Sequence, residues 1–333
     1  MEKILTVSIA AYNVENYLRR TLESLVRYSD DERLEVIIVD DGSSDNTSEI
    51  SQEFSVNYPQ VFKLIKKENG GYGSTINASL KEATGKYFKL LDGDDWFQKD
   101  ILDNYLDFLE RTDSDIVLAP YTIAYMPDGE MELKDVHNEL NQFKEDIARG
   151  KIKNSITHQE LAVKTKILQE NGVFITEHCF YTDQEFVFQS ILFSNSITKF
   201  GMPVYCYQVG REGQSVSING LKKHYKDAMK VADNLYNMYS RHLKTIYEGK
   251  NRILLIKLVL STALVFRANI VRSDITNAKN ELREFDQNMK SKYPEIYNIT
   301  NNVKTIRLLR IMHFKMFGLC RMLYIGMKTK IIG

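Results

Sequence analysis

Four apolar runs in the first hundred residues constrain the fold of this 333-residue chain more than any other feature. Residues 4–10, 36–39, 61–65 and 87–91 read as strands, and between them lie helical patterns over 17–26, from Asp45 onward, and over 74–83. Strands alternating with helices at this spacing are joined by right-handed crossovers, so they pair as a mostly parallel sheet covered on both faces. Ligands of such sheets collect at the C-terminal strand ends. The polar punctuation falls there: Ala11-Tyr12-Asn13, Asp40-Asp41-Gly42-Ser43, Asn69-Gly70-Gly71 and Asp92-Gly93-Asp94-Asp95.

The last of these loops places three carboxylates around a glycine. Like charges at close range raise each other's cost of ionisation, so a counter-cation is expected. Asp92 and Asp94 can turn their oxygens toward one hard divalent ion, Mg²⁺ or Mn²⁺. The alternative is a surface turn in which Asp95 caps the next helix. In Asp40-Asp41, one aspartate can serve as a turn residue while the other accepts the N–H of a base or the hydroxyls of a ribose. The loop from Asn69 to Ser74 lets backbone approach a ligand closely and opens a helix whose amides favour phosphate. It is neither a Walker motif nor a dinucleotide fingerprint.

Further along, the pattern predicts a helix over 101–110, a strand over 116–119, and a hairpin of 121–125 with 131–133 around Pro127-Asp128-Gly129. Helices are predicted over 140–148 and 161–169, the second stopped by Asn171-Gly172. An aromatic-rich stretch, 174–193, carries Glu177, His178, Asp183 and Glu185. A strand over 204–209 and a polar loop precede a region that is helical in pattern to the end.

Lys+Arg and Asp+Glu balance at 44 each, so no global field points to nucleic acid. Cys179, Cys206 and Cys320 are widely spaced, which suits a reducing compartment. The N-terminal apolar run lacks a basic flank and reads as a strand, not a signal peptide. Lys257 and Arg267 interrupt the best candidate for a spanning helix, 253–271. The expected location is the cytoplasm, including the inner face of the cell membrane. From Asn301 onward there is no acidic residue, and on a helical wheel Arg307, Arg310, Lys315, Arg321 and Lys328 share a little over a third of the circle. Such a helix suits an anionic leaflet, where each basic residue contributes ~1 kcal/mol. It equally suits docking on its own domain or on a second subunit in a homodimer.

Taken in order, Val7-Ser8-Ile9-Ala10-Ala11-Tyr12-Asn13, Val39-Asp40-Asp41-Gly42-Ser43-Ser44-Asp45, Asn69-Gly70-Gly71 with Asn77, and Leu91-Asp92-Gly93-Asp94-Asp95 resemble the family-2 glycosyltransferases of the GT-A fold. The resemblance covers residues 1–217 and is most specific in the first hundred. It implies an α/β, Rossmann-like, mostly parallel sheet flanked by helices, with a helical C-terminal extension. The catalytic domain would span 1–218, with a nucleotide-sugar half, 1–98, and an acceptor half, 99–218. A helical region, 219–333, would follow, ending in the basic amphipathic segment 301–333.

By the same resemblance, Ala11, Tyr12 and Asp41 would hold the nucleoside of a nucleotide-sugar, usually UDP-linked, with Asn69 assisting. Asp92 would face ribose and metal, and Asp94 would be the firmest ligand to Mn²⁺ or Mg²⁺. The family's glutamate–aspartate pair falls on Thr182-Asp183, which makes Asp183 the catalytic base, with Glu177 and Glu185 as alternatives. Two departures matter. Thr75-Ile76-Asn77 stands where the family often has Ala-Arg-Asn, so any phosphate contact by that arginine comes from elsewhere, with Arg211 a candidate. Gln208-Val209-Gly210-Arg211 has the spacing of the processive members' Gln-x-x-Arg-Trp, but Glu212 replaces the tryptophan, which implies a non-processive enzyme. His224 is a candidate metal ligand or an exposed helix histidine, and His158 and His178 are candidates for the acceptor pocket.

The implied reaction is inverting transfer of one sugar to a saccharide or lipid-linked acceptor in cell-surface polysaccharide synthesis. One rival is a sugar-phosphate nucleotidyltransferase, which should carry a Gly-rich loop with Arg and Lys after the first strand. The other is a non-catalytic saccharide-binding protein, against which the intact Asp41, Asp92, Asp94 and Asp183 speak.

Overall fold

The computed structural model describes residues 3–126, 128–147, 151–210 and 214–332, with side chains as far as 326. The chain divides into two compact units, one built from residues 1–211 and 247–253, the other from 212–246 and 254–333.

The first unit is organised by an eight-stranded sheet. Its parallel half comprises β1 (Leu5–Ala11), β2 (Leu34–Asp40), β3 (Phe62–Lys66) and β4 (Tyr87–Asp92), in the order β3-β2-β1-β4. Helices α1 (Glu15–Val26), α2 (Thr47–Asn57) and α3 (Tyr72–Glu82) form the crossovers. Strands buried on both faces read as apolar runs, and Leu34, Val36, Ile37, Ile38 and Val39 are all fully buried. Chain order runs outward from β1 through β2 to β3 and then jumps to β4, so the switch point lies between β1 and β4. That crevice is where such sheets bind ligands.

Beyond β4 a short strand, β5 (Trp96–Phe97), precedes α4 (Leu102–Arg111). Leu102, Tyr105, Leu106 and Leu109, spaced for one helix face, are completely buried, and Tyr105 and Phe108 lie 5.1 and 5.3 Å from the Phe200 ring. Each large side chain buried this fully contributes about 1.5–3 kcal/mol. The sheet continues through β6 (Ile116–Leu118), while β7 (Tyr121–Tyr125) and β8 (Glu130–Lys134) form the expected hairpin, with Ala124 opposite Met131. Pro127 of its turn lies outside the described residues.

Two of the expected helices are replaced. Residues 141–144 are irregular, and β9 (Glu145–Asp146) pairs at the sheet edge; Ala148 lies outside the described residues. Leu140 and Ile147, seven apart and both buried, imitate a helical repeat while residues 141–144 and 146 between them face solvent. Leu161–Lys164 is a strand, β10, inserted antiparallel between β4 and β6, and only α5 (Thr165–Glu170) is helical. Leu161, Ala162 and Val163 are all fully buried, and an apolar run this short does not distinguish a central strand from a helix turn. Asn171-Gly172 ends the helix as expected, with Gly172 at φ 60°.

Helix α6 (Asp183–Phe193) leads to β11 (Ser196–Lys199), and β12 (Tyr205–Val209) closes a second sheet, ordered β5-β12-β7-β8.

The second unit is helical: α7 (Ile218–Lys223), α8 (Tyr225–His242), the main part of α9 (Glu248–Ile270), α10 (Ile275–Lys292), α11 (Pro294–Ile299), α12 (Lys304–Ile311) and α13 (Phe317–Ile332). Helix α9 alone among the described residues is long and apolar enough to cross a membrane, and 67% of that stretch is buried inside the protein. Segment 306–325 is not the single amphipathic helix of the wheel projection. His313 and Phe314 take left-handed φ values of 46° and 60° and break it into α12 and α13. Arg310 is not on an exposed face either: it forms a buried bidentate pair with Asp286 and stacks on Tyr297, 3.7 Å from the ring centre.

A buried pair broken on one side leaves an uncompensated charge. Arg310→Ala should lower stability by about 3–5 kcal/mol in urea unfolding, whereas the double change Asp286→Leu with Arg310→Met should recover most of the loss.

Candidate active site

The site grows from the end of β4. The Gly93 N–H donates to Ala10 O (3.2 Å) and the Thr21 hydroxyl to Gly93 O (3.0 Å), which presses this turn against β1 and α1. A Cβ at Gly93 would stand 2.7 Å from Ala10 O, so glycine is required here on steric grounds. One oxygen each of Asp92, Asp94 and Asp95 lie within 4.8 Å of one another.

The three carboxylates differ in their commitments. Asp95 is fully buried, and its oxygens accept from the Tyr205 hydroxyl (2.5 Å) and the Gln208 N–H (2.7 Å) of β12. It precedes β5 and caps no helix, which corrects that expectation. Burial, then the like charges of Asp92 and Asp94, push Asp95 well above the usual carboxylate range. Asp92 accepts the Tyr72 hydroxyl at 2.7 Å, and its own backbone N–H donates to the Tyr205 oxygen at 3.2 Å. Each oxygen of a carboxylate keeps a second lone pair, so Asp92 and Asp94 together fit an all-oxygen site for a hard divalent ion. Arg20 of α1 brackets the turn from below: it donates to Asp94 O (3.2 Å) and to the Gln208 side chain, and lies 3.7 Å from the Trp96 ring centre.

A second cluster forms at the ends of β2 and β3. Asp40 is the turn residue, accepting from Ser43 N at 3.0 Å. Asp41 instead gathers the glycine loop: Oδ1 accepts from Gly70 N (2.9 Å), Lys67 Nζ (2.7 Å) and Ser74 Oγ (3.2 Å), and Oδ2 accepts from Gly71 N (2.8 Å). Asn69 is exposed at the rim, its backbone nitrogen against Gly42. Ala11 lies between the clusters and its carbonyl accepts from Asp41 N (2.9 Å), while Tyr12 is half exposed.

The third component is the stretch leading into α6. Asp183 is its first helical residue. His158, at the approach to β10, stands between this residue and the β4 turn, with Nε2 3.3 Å from Asp92 Oδ2 and Nδ1 3.8 Å from Asp183 Oδ2. The longer contact is an ion-pair distance, too long for a hydrogen bond. Burial opposes the imidazolium, but Asp92 and Asp183 outweigh it and push His158 up to about 10. Buried Lys89 holds this histidine's segment by donating to Gln159 O (2.7 Å) and Leu161 O (3.3 Å). Burial pushes Lys89 down to about 7.

The alternative carboxylates are occupied elsewhere. Glu185 is buried and accepts from Thr176 N (2.8 Å) and Thr176 Oγ1 (3.0 Å). Glu177 accepts from Asn77 at 3.1 Å, and Asn77 also pairs with both backbone groups of Ile175. His178, expected near the acceptor, is exposed, and its backbone N–H donates to Gly70 O (2.5 Å).

One neighbourhood thus holds Asp92, Asp94, Tyr72, His158 and Asp183, and an adjoining one holds Ala11, Asp41 and the glycine loop. Arg211 and Glu212 lie outside the described residues. His224 belongs to the second unit, where Nδ1 lies 3.1 Å from Asp227 Oδ2. Sequence reading passed over Tyr72, Arg20, Tyr205 and Lys89. Only Lys89 carried a signal, a lone charge inside a run otherwise fit for a buried strand.

The glycine loop and the segment before α6 touch backbone to backbone. A Cβ at Gly73 would stand 2.1 Å from Thr176 O, so Gly73→Ala should lower stability by about 1–3 kcal/mol, read by thermal unfolding. The raised value of His158 gives a second expectation. A folded value of about 10 against an ordinary 6.5 contributes stability fully below pH 6.5, and that contribution is lost as pH rises toward 10. In EDTA, His158→Gln should flatten the stability profile across that window.

The model of the family described as "Glycosyl transferase family 2" matches residues 6–172, half of the chain. Among curated relatives, the putative glycosyltransferase EpsH of Bacillus subtilis is 30% identical over 213 residues, 60% of this chain and 59% of EpsH. The poly(ribitol-phosphate) beta-N-acetylglucosaminyltransferase TarS of Staphylococcus aureus is 26% identical over 221 residues, 64% of this chain and 36% of TarS. The chain therefore spans about three fifths of the first relative and little more than a third of the second. In structure, TarS 1–349 in complex with UDP-GlcNAc superposes with a TM-score of 0.58 at 20% identity, covering 88% of this chain and 92% of that one. The mannosyltransferase PcManGT of Pyrobaculum calidifontis, in complex with GDP-Man and Mn²⁺, gives 0.54 at 15% identity, covering 94% and 87%. The four strand-end loops, the carboxylate turn and the family match converge: this chain belongs to glycosyl transferase family 2, on an α/β fold of the GT-A type.

Proposed function

We propose that the chain catalyses inverting, metal-dependent transfer of a single sugar from a nucleotide-sugar, UDP-linked, to a saccharide or lipid-linked acceptor in cell-surface polysaccharide synthesis at the cytoplasmic face of the membrane. The observation that carries this reading is the line Tyr72–Asp92–His158–Asp183, which holds a donor-side carboxylate and a candidate base on opposite sides of one imidazole. TarS crystals holding UDP-GlcNAc support the uridine donor, and PcManGT crystals holding Mn²⁺ support the metal.

On this reading the donor half is 1–98. Asp41 rigidifies the glycine loop and keeps one lone pair on Oδ2 for the base, while Ala11 and Tyr12 border the nucleoside. The N-terminal amides of α3 and the rim residue Asn69 face the donor. Asp94 and Asp92 would hold Mn²⁺ or Mg²⁺, which when bound neutralises charge gathering on the departing diphosphate. Arg211 remains a candidate for a phosphate contact.

Asp183 acts on the acceptor side, within 99–218. Its carboxylate takes the proton of an acceptor hydroxyl as that oxygen bonds to C1 of the sugar. The C1–oxygen bond to the diphosphate breaks at the same carbon, its electron pair leaves with UDP, and attack from the opposite face inverts the anomeric centre. His158 keeps Asp183 aimed across the cleft from Asp92, and Glu185 and Glu177 hold the supporting segment.

UDP release from a panel of UDP-sugars with Mn²⁺ tests the whole reading, and undiminished turnover in EDTA would remove the metal from it. Asp183→Asn should cut transfer by about 10²–10⁴ while leaving UDP affinity within about threefold. Wild-type turnover in that variant would reassign the base.

A further inference from the structure

We infer that the α12–α13 hairpin is a docking surface for an anionic lipid bilayer. The inference concerns the second unit only and does not depend on the catalytic reading. Helix α12 buries Ile306 and Leu309, and α13 buries Phe317 and Cys320. A second apolar stripe on each helix is exposed among the described residues. Leu308, Ile311 and Met312, and likewise Leu319, Met322 and Leu323, repeat the spacing i, i+3, i+4 and are each 39–62% exposed. Soluble surfaces scatter single apolar residues, whereas six in sixteen positions at helical spacing form a face.

The hairpin presenting this face is a fixed element. Phe314 and Phe317 are buried at its turn, and Phe314 stacks on Phe266 of α9 at 6.3 Å. An apolar cleft of about 360 Å³, walled by Phe266, Ile270, Ile306, Leu308 and Leu323, joins the two stripes.

Charge selects the occupant. Lys304, Arg307 and Lys315 are exposed beside the stripes, and no acidic residue follows Glu295 in the chain. Arg310 is withdrawn into its pair with Asp286, and Arg321 donates to Arg272 O at 3.0 Å, so the first three carry the positive field. A second copy of the chain would bring the same cations against them, which is repulsive, while anionic headgroups complement them and the bilayer interior accepts the stripes. The amphipathic character expected from the sequence is therefore retained on two helices, with Arg307 and Lys315 kept from the expected basic set, Lys304 added, and Arg310 and Arg321 withdrawn.

The test is co-sedimentation of the full chain with vesicles of phosphatidylcholine alone or with about 30 mol% phosphatidylglycerol, in the absence of any donor. We expect partition at least about tenfold stronger onto the anionic vesicles, weakened by salt. Ile311→Glu with Met322→Glu, both at exposed positions, should lower it by about tenfold, as should Lys304→Glu with Arg307→Glu, with helical circular dichroism unchanged. Equal partition onto both vesicle types, no partition, or unchanged partition in both variants would overturn the inference. So would a concentration-dependent dimer in sedimentation velocity that the same substitutions abolish, since the face would then belong to a second copy.

Discussion

The site depends on one buried carboxylate. Asp95 is the hinge between the two sheets of the first unit: it follows β4 of the larger sheet and accepts hydrogen bonds from Tyr205 and Gln208 of the smaller one. Tyr205 in turn accepts from the Asp92 N–H, so the same phenol fixes the residue that faces the cleft. An acid buried beside two others is costly to ionise, and the cost rises with every unit of negative charge nearby. A divalent cation between Asp92 and Asp94 would relieve that repulsion. Fold integrity and metal affinity would therefore be linked through a residue that need not touch the metal.

The parallel half of the sheet was legible because its strands are buried on both faces and their apolar runs end abruptly in polar loops. The same logic failed at Leu161–Lys164, where an antiparallel strand is inserted beside β4 and passes into α5 with no intervening loop. That error hid the placement of His158, because a helix there gives no reason for residue 158 to approach Asp92. Of the second sheet, the hairpin and the strand over 204–209 were legible but β5 was not, since it contributes only Trp96 and Phe97. Helical periodicity in the C-terminal segment was legible, but the break at His313 and Phe314 was not. Neither residue is a glycine, and burial of Phe314 compensates for the left-handed backbone.

Within the site, residue type alone identified the carboxylates but not their division of labour. Asp92, Asp94 and Asp95 are indistinguishable as a string of acids, and only their partners separate Asp95, tied to the second sheet, from the two proposed to hold a cation. Asp40 and Asp41 are likewise adjacent and both buried, yet one closes a turn and the other collects the backbone of a loop thirty residues away. Such assignments depend on which donors the fold brings near, a property of tertiary structure.

The glycine loop and the segment bearing Asp183 behave as one mechanical piece. The His178 N–H donates to Gly70 O, Gly73 leaves room for the Thr176 carbonyl, and Asn77 pairs with the backbone of Ile175 from inside α3. Between these contacts and α6, His178 and Tyr181 hold left-handed φ values of 51° and 65°, each costing of order 1–3 kcal/mol unless the surroundings impose it. The surroundings here are the donor loop on one side and Glu185, hydrogen-bonded to Thr176, on the other. Under the proposed reaction, movement of the glycine loop on engaging phosphate would be transmitted to residues 175–178 and toward the start of α6. Asp183 would then be aimed only with the donor loop in place, which would couple proton acceptance on one side of the cleft to donor occupancy on the other.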